Sequence, residues 1–121
     1  MSLKLYENKI IKSVNILSGK YIKNIIYNLF VLNGRTLKKV IKKENTIHFE
    51  IDNLLVLSEI NSSSKWCNIK SEFSRICIIF KDGSTLYLND KNNFATFKIK
   101  QGEKFENSNY RWRWIYSKKS Y

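Results

Sequence analysis

The sequence predicts a mainly β, α+β domain: an antiparallel β-sandwich or flattened barrel with an N-terminal helix. Three observations support this class. Residues 75–88 predict a β-hairpin, because two β-rich runs flank Asp82-Gly83, a dipeptide that favours the two positive-φ residues of a type I′ turn. Residues 46–51 alternate apolar and polar side chains, as a strand with one buried face does. In residues 5–17, apolar side chains recur at the spacing of an amphipathic helix.

The elements follow in chain order. In residues 5–17, Ile10, Val14 and Leu17 recur at helical spacing, which predicts an amphipathic helix ended by Ser18-Gly19. The other predicted elements are a strand over residues 21–32 that turns at Asn33-Gly34, strands over 36–41, 46–51, 54–57 and 94–99, a turn at Asp52-Asn53, loops at 61–65 and 89–93, and a polar, turn-like segment at 101–108. A C-terminal strand over residues 111–116 would place Trp112, Trp114 and Tyr116 on one face.

Length and composition predict one domain, residues 1–121, with enough apolar side chains for one core. No run approaches the roughly 20 apolar residues of a membrane span, and charges interrupt the N-terminus too often for a secretory signal. We therefore expect a soluble, intracellular protein without membrane contact. Cys67 and Cys77 have no metal-ligand spacing, and because Cys77 lies within a strand pattern they predict buried, reduced thiols. His48 is the only histidine, so we predict neither a metal site nor a cofactor.

The net charge of +12 predicts a polyanionic partner such as DNA or RNA. A second explanation is codon bias, since lysine, isoleucine and asparagine are all frequent here and all have AT-rich codons. Codon bias does not explain why aspartate and glutamate together number only 10. The charge therefore favours nucleic-acid binding, with a merely solvated surface as the alternative.

Four segments occur in a recognisable order. They are Ser18-Gly19-Lys20, LNGRTL at 32–37, VIKKENTI at 40–47, and FKDGSTL at 80–86 followed by Asn89-Asp90 and Phe94. Together, residues 19–97 resemble the N-terminal domain of the formamidopyrimidine-DNA glycosylase and endonuclease VIII family. Members of that family excise oxidised bases and nick the DNA strand. The resemblance implies their sandwich fold and a surface that faces DNA.

The positions that carry the family's chemistry are mostly replaced. The nucleophile, the α-amino group of a proline after Met1, would here belong to Ser2, and the neighbouring catalytic glutamate is Leu3. Glu7 is the nearest match to a second acidic residue, which leaves Ser2 and Glu7 as vestigial candidates. Further replacements are Asn45 for a lysine, Ser58-Glu59-Ile60-Asn61 for His-Leu-Gly-Met, and Asn92-Asn93 for two arginines. The sequence also ends before the family's helix–two-turn–helix and zinc-finger part.

The candidate nucleic-acid-binding residues are Lys38, Lys39, Lys42, Lys43, Lys65, Lys70, Arg75, Lys91, Phe94, Arg111 and Arg113. The lysines near residue 40 fit a basic cluster for phosphates or a solvated face. Phe94 fits the core, which its alternating strand favours, or a base-stacking wedge. Trp66 fits packing or base stacking equally. The Arg-Trp alternation of residues 111–114 fits a strand with a buried aromatic face or single-strand binding.

These observations predict a non-catalytic nucleic-acid-binding protein that binds mainly through phosphate contacts, with DNA favoured over RNA. One alternative is a structural module that assembles with itself as a homo-oligomer and packages nucleic acid. Another is a residual abasic-site lyase that uses the Ser2 amine, although loss of a general acid alone removes on the order of 10²–10⁴ in rate. The codon bias, together with the missing helix–two-turn–helix and zinc-finger part of the family's DNA clamp, would fit a large DNA virus or a reduced bacterial genome.

Overall fold

Two antiparallel sheets form the fold in a computed structural model that describes residues 2–19, 29–104 and 110–114, the backbone alone for 101–104 and 110–114. The strands are β1 (Ile11–Ile16), β2 (Leu37–Lys43), β3 (Thr46–Ile51), β4 (Leu54–Glu59), β5 (Ser64–Cys67), β6 (Ser74–Phe80), β7 (Thr85–Asp90), β8 (Lys98–Lys104) and β9 (Tyr110–Trp114), and 3-10 helices span Leu3–Tyr6 and Leu29–Leu32. One sheet has the order β1-β6-β7-β5 and the other β2-β3-β4-β8-β9. This architecture confirms the predicted fold class.

The core lies between the inner faces of the two sheets. Ile47, Phe49 and Ile51 of β3 are buried, as their alternation predicted, and they share this core with Ile76 and Phe80 of β6. Each such side chain contributes roughly 1.5–3 kcal/mol when it leaves water. The core of a two-layer sandwich thus depends on period-2 alternation in both sheets.

Trp66 packs inside this core. Its ring lies 5.2 Å from that of Phe49 and 6.1 Å from that of Phe97, and its indole N–H donates to the Ser58 hydroxyl over 2.9 Å. The side chain is 5% exposed. Of the two interpretations of Trp66, the structure therefore supports packing, and a stacking surface for a base is not available on this ring.

The hairpin over residues 75–88 is confirmed, but its turn is not the predicted type I′. Gly83 has φ +91°, whereas Asp82 does not lie at positive φ. The Phe80 N–H donates to the Ser84 carbonyl (2.9 Å) and the Gly83 N–H to the Phe80 carbonyl (2.9 Å), which closes a three-residue loop. Asp82 stabilises this loop differently, because its carboxylate accepts from both the N–H and the hydroxyl of Ser84. A three-residue loop with a final left-handed glycine is the next most common hairpin design.

The predicted helix over residues 5–17 is wrong beyond its first turn. A 3-10 helix covers Leu3–Tyr6, and Ile11–Ile16 is strand β1, paired with β6. The register shifts between Ile11 and Ser13, so a bulge interrupts the period of two. That interruption leaves Ile11 and Val14, three residues apart, facing the core, whereas Ile10 and Leu17, whose spacing from Val14 suggested the helix, are exposed.

Other boundaries also differ from the predictions. Residues 29–32 form a 3-10 helix rather than the end of a strand, and residues 21–28 lie outside the described residues. The predicted loop at 61–65 contains the start of β5, the loop at 89–93 begins only after β7 ends at Asp90, and β8 begins at Lys98 rather than at Phe94. The segment predicted as turn-like continues β8 to Lys104. The C-terminal strand is present as β9, although Tyr116 is not described.

The two cysteines are free and lie in one row across the four-stranded sheet. Cys67 and Cys77 both pair with Tyr87, from opposite sides. Two strand spacings amount to about 10 Å, which exceeds the reach of a disulfide. Among the described residues no cluster of His, Cys, Asp and Glu could hold a metal ion, and no helix there is long and apolar enough to cross a membrane.

Candidate nucleic-acid interface

The N-terminal 3-10 helix is anchored to the β6–β7 hairpin. The buried Tyr6 ring packs on Phe80 at 5.3 Å, and its hydroxyl donates to the Thr85 carbonyl over 2.9 Å. Burial raises the pKa of Tyr6. At the start of the helix, the Ser2 hydroxyl accepts from the Lys4 N–H over 3.3 Å. These contacts fix Ser2 at the rim of a pocket.

That pocket, which we call the Ser2 pocket, has a volume of about 300 Å³. It opens where the edge strand β2 of one sheet faces the edge strand β5 of the other. Its lining residues are Ser2, Leu3, Lys4, Val40, Lys42, Ile47, Ile60, Lys65 and Trp66. Apolar side chains and three lysines thus share one opening, a composition that suits an anion with an apolar part.

The side chains of Lys4 and Glu7 both bond to the backbone of edge strand β2 at Val40. The Lys4 ammonium donates to the Val40 carbonyl over 3.1 Å and lies 3.6 Å from the Glu7 carboxylate, which accepts from the Val40 N–H over 2.9 Å. The hydrogen bond from Val40 and the charge of Lys4 lower the pKa of Glu7. Glu7 is therefore ionised at neutral pH and occupied by a structural contact, which makes it a poor general acid.

Strand alternation divides the four lysines near residue 40. Lys42 pairs with the buried Ile47 and lines the Ser2 pocket, whereas Lys43 pairs with Thr46 and Lys39 with Glu50 on the other side of the sheet. Lys38 lies at a register shift of β2 and is exposed. These lysines therefore do not all share one face of the sheet, because successive side chains of a strand point to opposite faces.

A second groove shares one lining residue, Lys65, with the Ser2 pocket. This serine groove has a volume of about 230 Å³ and is lined by Ser62, Ser63, Ser64, Lys65, Phe73, Asn89 and Lys91. The Lys91 ammonium lies 6.0 Å from the centre of the Phe73 ring. Lys42, Lys65 and Lys91, which we call the basic band, therefore border two depressions that have Lys65 in common. The candidates drawn from the sequence include these lysines but not the serines, for which three consecutive serines at 62–64 were the only indication.

Phe94 lies outside the core, contrary to the favoured prediction. It is 66% exposed, while its neighbour Ala95 is buried. The buried carboxylate of Asp90 organises this loop by accepting from the Phe94 N–H (3.2 Å) and the Ala95 N–H (2.9 Å). Residues 94–97 precede β8, and the inward side chains are Ala95 and Phe97. A large aromatic ring is thus held in solvent by a fixed loop.

Arg75 holds the same loop in place through hydrogen bonds from its guanidinium group. Its Nε donates to the Asp90 carbonyl (2.8 Å), Nη1 to the Ser18 hydroxyl (3.1 Å) and Nη2 to the Lys91 carbonyl (3.2 Å). Gly19 fits closely here, with φ +87° and room too small for a Cβ, which would lie 2.4 Å from the Asn93 side chain. All three guanidinium nitrogens have partners within the protein, so Arg75 positions the loop.

Among the remaining candidates, Lys70 lies outside the basic band. Lys70 is exposed but lines neither depression. Arg111 and Arg113 lie on β9 opposite Glu103 and Gln101, and their side chains are outside the described part of the structure.

Comparison with known proteins supports the fold. No protein-family model and no curated protein matches the sequence. Among solved structures, the MutM (Fpg) protein from Thermus thermophilus is similar with a TM-score of 0.64 and 14% identity, over 77% of this chain and 34% of that one. Lactococcus lactis Fpg in complex with a FAPY-dG-containing DNA gives 0.65 and 15%, over 78% and 38%. The same protein with an abasic-site-containing DNA gives 0.63 and 16%, over 77% and 37%.

These similarities show that the chain has the fold of the Fpg N-terminal domain, as the sequence resemblance implied. The chain spans between about a third and two fifths of the length of these proteins.

Proposed function

We propose that this protein is a non-catalytic nucleic-acid-binding protein that holds DNA mainly through phosphate contacts. The observation that carries the proposal is the basic band, in which Lys42, Lys65 and Lys91 border two depressions that share Lys65 as a lining residue. No carboxylate of the described residues pairs with these three lysines. Lysine ammonium groups that form no ion pair are common ligands of backbone phosphates, and such contacts fix position without reading sequence.

The surroundings of the band suit nucleic acid in particular. Phe94 projects 66% exposed from a loop whose first residue is Lys91, and aromatic rings beside cationic grooves stack on bases. The similar folds of known structure include two complexes of Lactococcus lactis Fpg with DNA. We propose that Phe94 contacts a base while the band contacts phosphates.

The absence of catalysis rests on the N-terminal residues. Leu3 cannot protonate a leaving base, and Glu7 is held by Val40 and Lys4 with a lowered pKa. A positioned acid typically contributes about 10²–10⁴-fold to rate. The Ser2 pocket would therefore accommodate a nucleotide without cleaving it.

The first test measures binding of fluorescent duplex and single-stranded oligonucleotides by anisotropy at several salt concentrations. We expect binding at low salt that weakens steeply, with a log–log slope of roughly −3 if the band contributes three phosphate contacts. A K42A/K65A variant should bind at least about tenfold more weakly, with a slope reduced by about 2.

A K12A/K81A variant is the matched control. Both lysines are exposed near the hairpin end of the four-stranded sheet, away from either depression, and their removal changes the net charge equally. The control should retain nearly full affinity. Equal losses in both variants would show that charge alone attracts the nucleic acid, and no binding of either oligonucleotide at low salt would refute the proposal.

The second test addresses catalysis through the Ser2 amine. Protein whose N-terminus is confirmed as Ser2 by mass spectrometry is mixed with abasic-site DNA and borohydride, beside an active Fpg enzyme as a positive control. We expect no covalent adduct, because the acid that the step needs is missing. A borohydride-dependent adduct that disappears when Met1 is retained would instead establish a residual lyase.

A further inference from the structure

We infer that the serine groove is a discrete phosphate-binding subsite, in which the Ser62 hydroxyl and the ammonium groups of Lys65 and Lys91 hold one phosphate group. The inference deepens the proposed function and rests on it for the source of the phosphate. It assigns a role to Ser62, which the sequence did not single out.

Asn61 organises one wall of this groove. Its side-chain oxygen accepts from the Ser63 N–H (2.9 Å), the Ser63 hydroxyl (2.8 Å) and the Ser64 hydroxyl (3.0 Å). The hydroxyl groups of Ser63 and Ser64 therefore already donate hydrogen bonds within the loop. Ser62 is exposed, and its hydroxyl bonds to no other described residue. The loop thus presents a single free hydroxyl donor to the groove.

The opposite wall is fixed as well. The Lys91 N–H donates to the Ser63 carbonyl over 3.3 Å, which ties the two walls together, and the Lys91 carbonyl accepts from Arg75. The Lys91 side chain lies beside the Phe73 ring, 6.0 Å from its centre. The backbone under the Lys91 ammonium is thus held in place before any ligand arrives, which reduces the entropy lost on binding.

The charges of the groove match a phosphate. Lys65 and Lys91 supply two positive charges, and among the described residues neither forms an ion pair. Asp90, the acidic residue next to Lys91, is buried and its carboxylate points to the Phe94 and Ala95 N–H groups. Two ammonium groups and one hydroxyl form charge-assisted hydrogen bonds to a phosphate more readily than to a neutral ligand.

The phosphate has two possible sources with the same chemistry. Because Lys65 also lines the Ser2 pocket, a strand that occupies the pocket would continue into the groove with a bridging phosphodiester. A terminal phosphomonoester at a strand end would fill the groove equally. The test separates these sources.

The test compares K91A and S62D with matched controls in the anisotropy assay. K12A and N15D make the same charge changes at exposed positions of β1, outside the groove. We expect K91A and S62D each to weaken binding roughly tenfold and to reduce the salt slope by about 1, and the controls to stay within about twofold. Equal thermal unfolding of all four variants would show that folding is unaffected.

Two further arms complete the test. Tighter binding of a 5′- or 3′-phosphorylated oligonucleotide than of its hydroxyl counterpart would assign a terminal phosphate, and equal binding would assign the bridging diester. In parallel, inorganic phosphate is titrated into ¹⁵N-labelled protein, and the amide signals of residues 62–65 and 91 should shift and saturate in wild type but not in K91A.

The outcomes separate the two proposals. If wild type binds no oligonucleotide but its groove signals saturate with phosphate, the proposed function fails while the subsite stands. If oligonucleotides bind but K91A and S62D behave as their controls and phosphate causes no saturable shift, the subsite is refuted while the proposed function stands.

Discussion

At the scale of single residues, Asp90 determines the shape of the surface loop that carries Phe94. It is fully buried, yet its two oxygens accept from the Phe94 and Ala95 N–H groups. A buried carboxylate of this kind is tolerated because backbone donors replace the water that it loses. The Asp90 carboxylate therefore fixes the backbone positions of Phe94 and Ala95 and also stabilises the loop.

We expect D90N to destabilise the protein by about 1–3 kcal/mol, because the amide nitrogen would face a backbone N–H that needs an acceptor. Urea unfolding at neutral pH measures this change. D52N is the control, since Asp52 lies in the exposed β3–β4 turn at φ 51°, a conformation that asparagine adopts readily. A loss below about 0.5 kcal/mol in D90N would contradict this account of the loop.

At the scale of elements, the β6–β7 hairpin shows how a correct local signal can still specify the wrong turn. Asp82-Gly83 marked the reversal correctly, but Gly83 alone takes positive φ and Asp82 acts through its side chain. The pairing of Ile78 with Leu86 keeps both side chains in the core, and the next pair, Ile79 with Thr85, is only half-buried. Register in the buried sheet, rather than the dipeptide alone, therefore selects the loop length.

The hairpin gives a prediction about Gly83. A Cβ at this position would meet no atom within 4 Å, so the cost of G83A comes from the backbone conformation alone. We expect G83A to lower stability by roughly 1–2 kcal/mol, and G83N to lower it less, because asparagine tolerates the left-handed region. Thermal or urea unfolding of both variants provides the measurement, and equal losses would argue against backbone strain as the cause.

Strand β1 lies where the sequence predicted a helix. Two of the residues whose spacing suggested a helix, Ile10 and Leu17, are exposed, and a bulge between Ile11 and Ser13 breaks the period of two that would have indicated a strand. Pairing with β6, which lies far away in sequence, determines the strand. Local patterns cannot report such a partner, and tertiary pairing here overrides the helical spacing.

At the scale of the whole molecule, the two sheets bring together lysines that the sequence separates. Lys42 lies on an edge strand of the five-stranded sheet, and Lys65 on an edge strand of the four-stranded sheet. They line one pocket because packing of the sheets places these edges side by side. Lys39 and Lys43, although close in sequence to Lys42, lie on the other face. Proximity in sequence is thus a poor guide to which cations act together.

Local patterns and composition were enough to establish the fold class, the hairpin, the strand over residues 46–51 and the excess of positive charge, because period-2 alternation and turn residues act locally. Three features follow only from the folded molecule: which cations belong to the basic band, the role of Arg75 in holding its loop, and the exposure of Phe94 beside the burial of Trp66. They depend on which strand edges face each other and on hydrogen bonds between distant segments, and neither leaves a periodic trace in the chain.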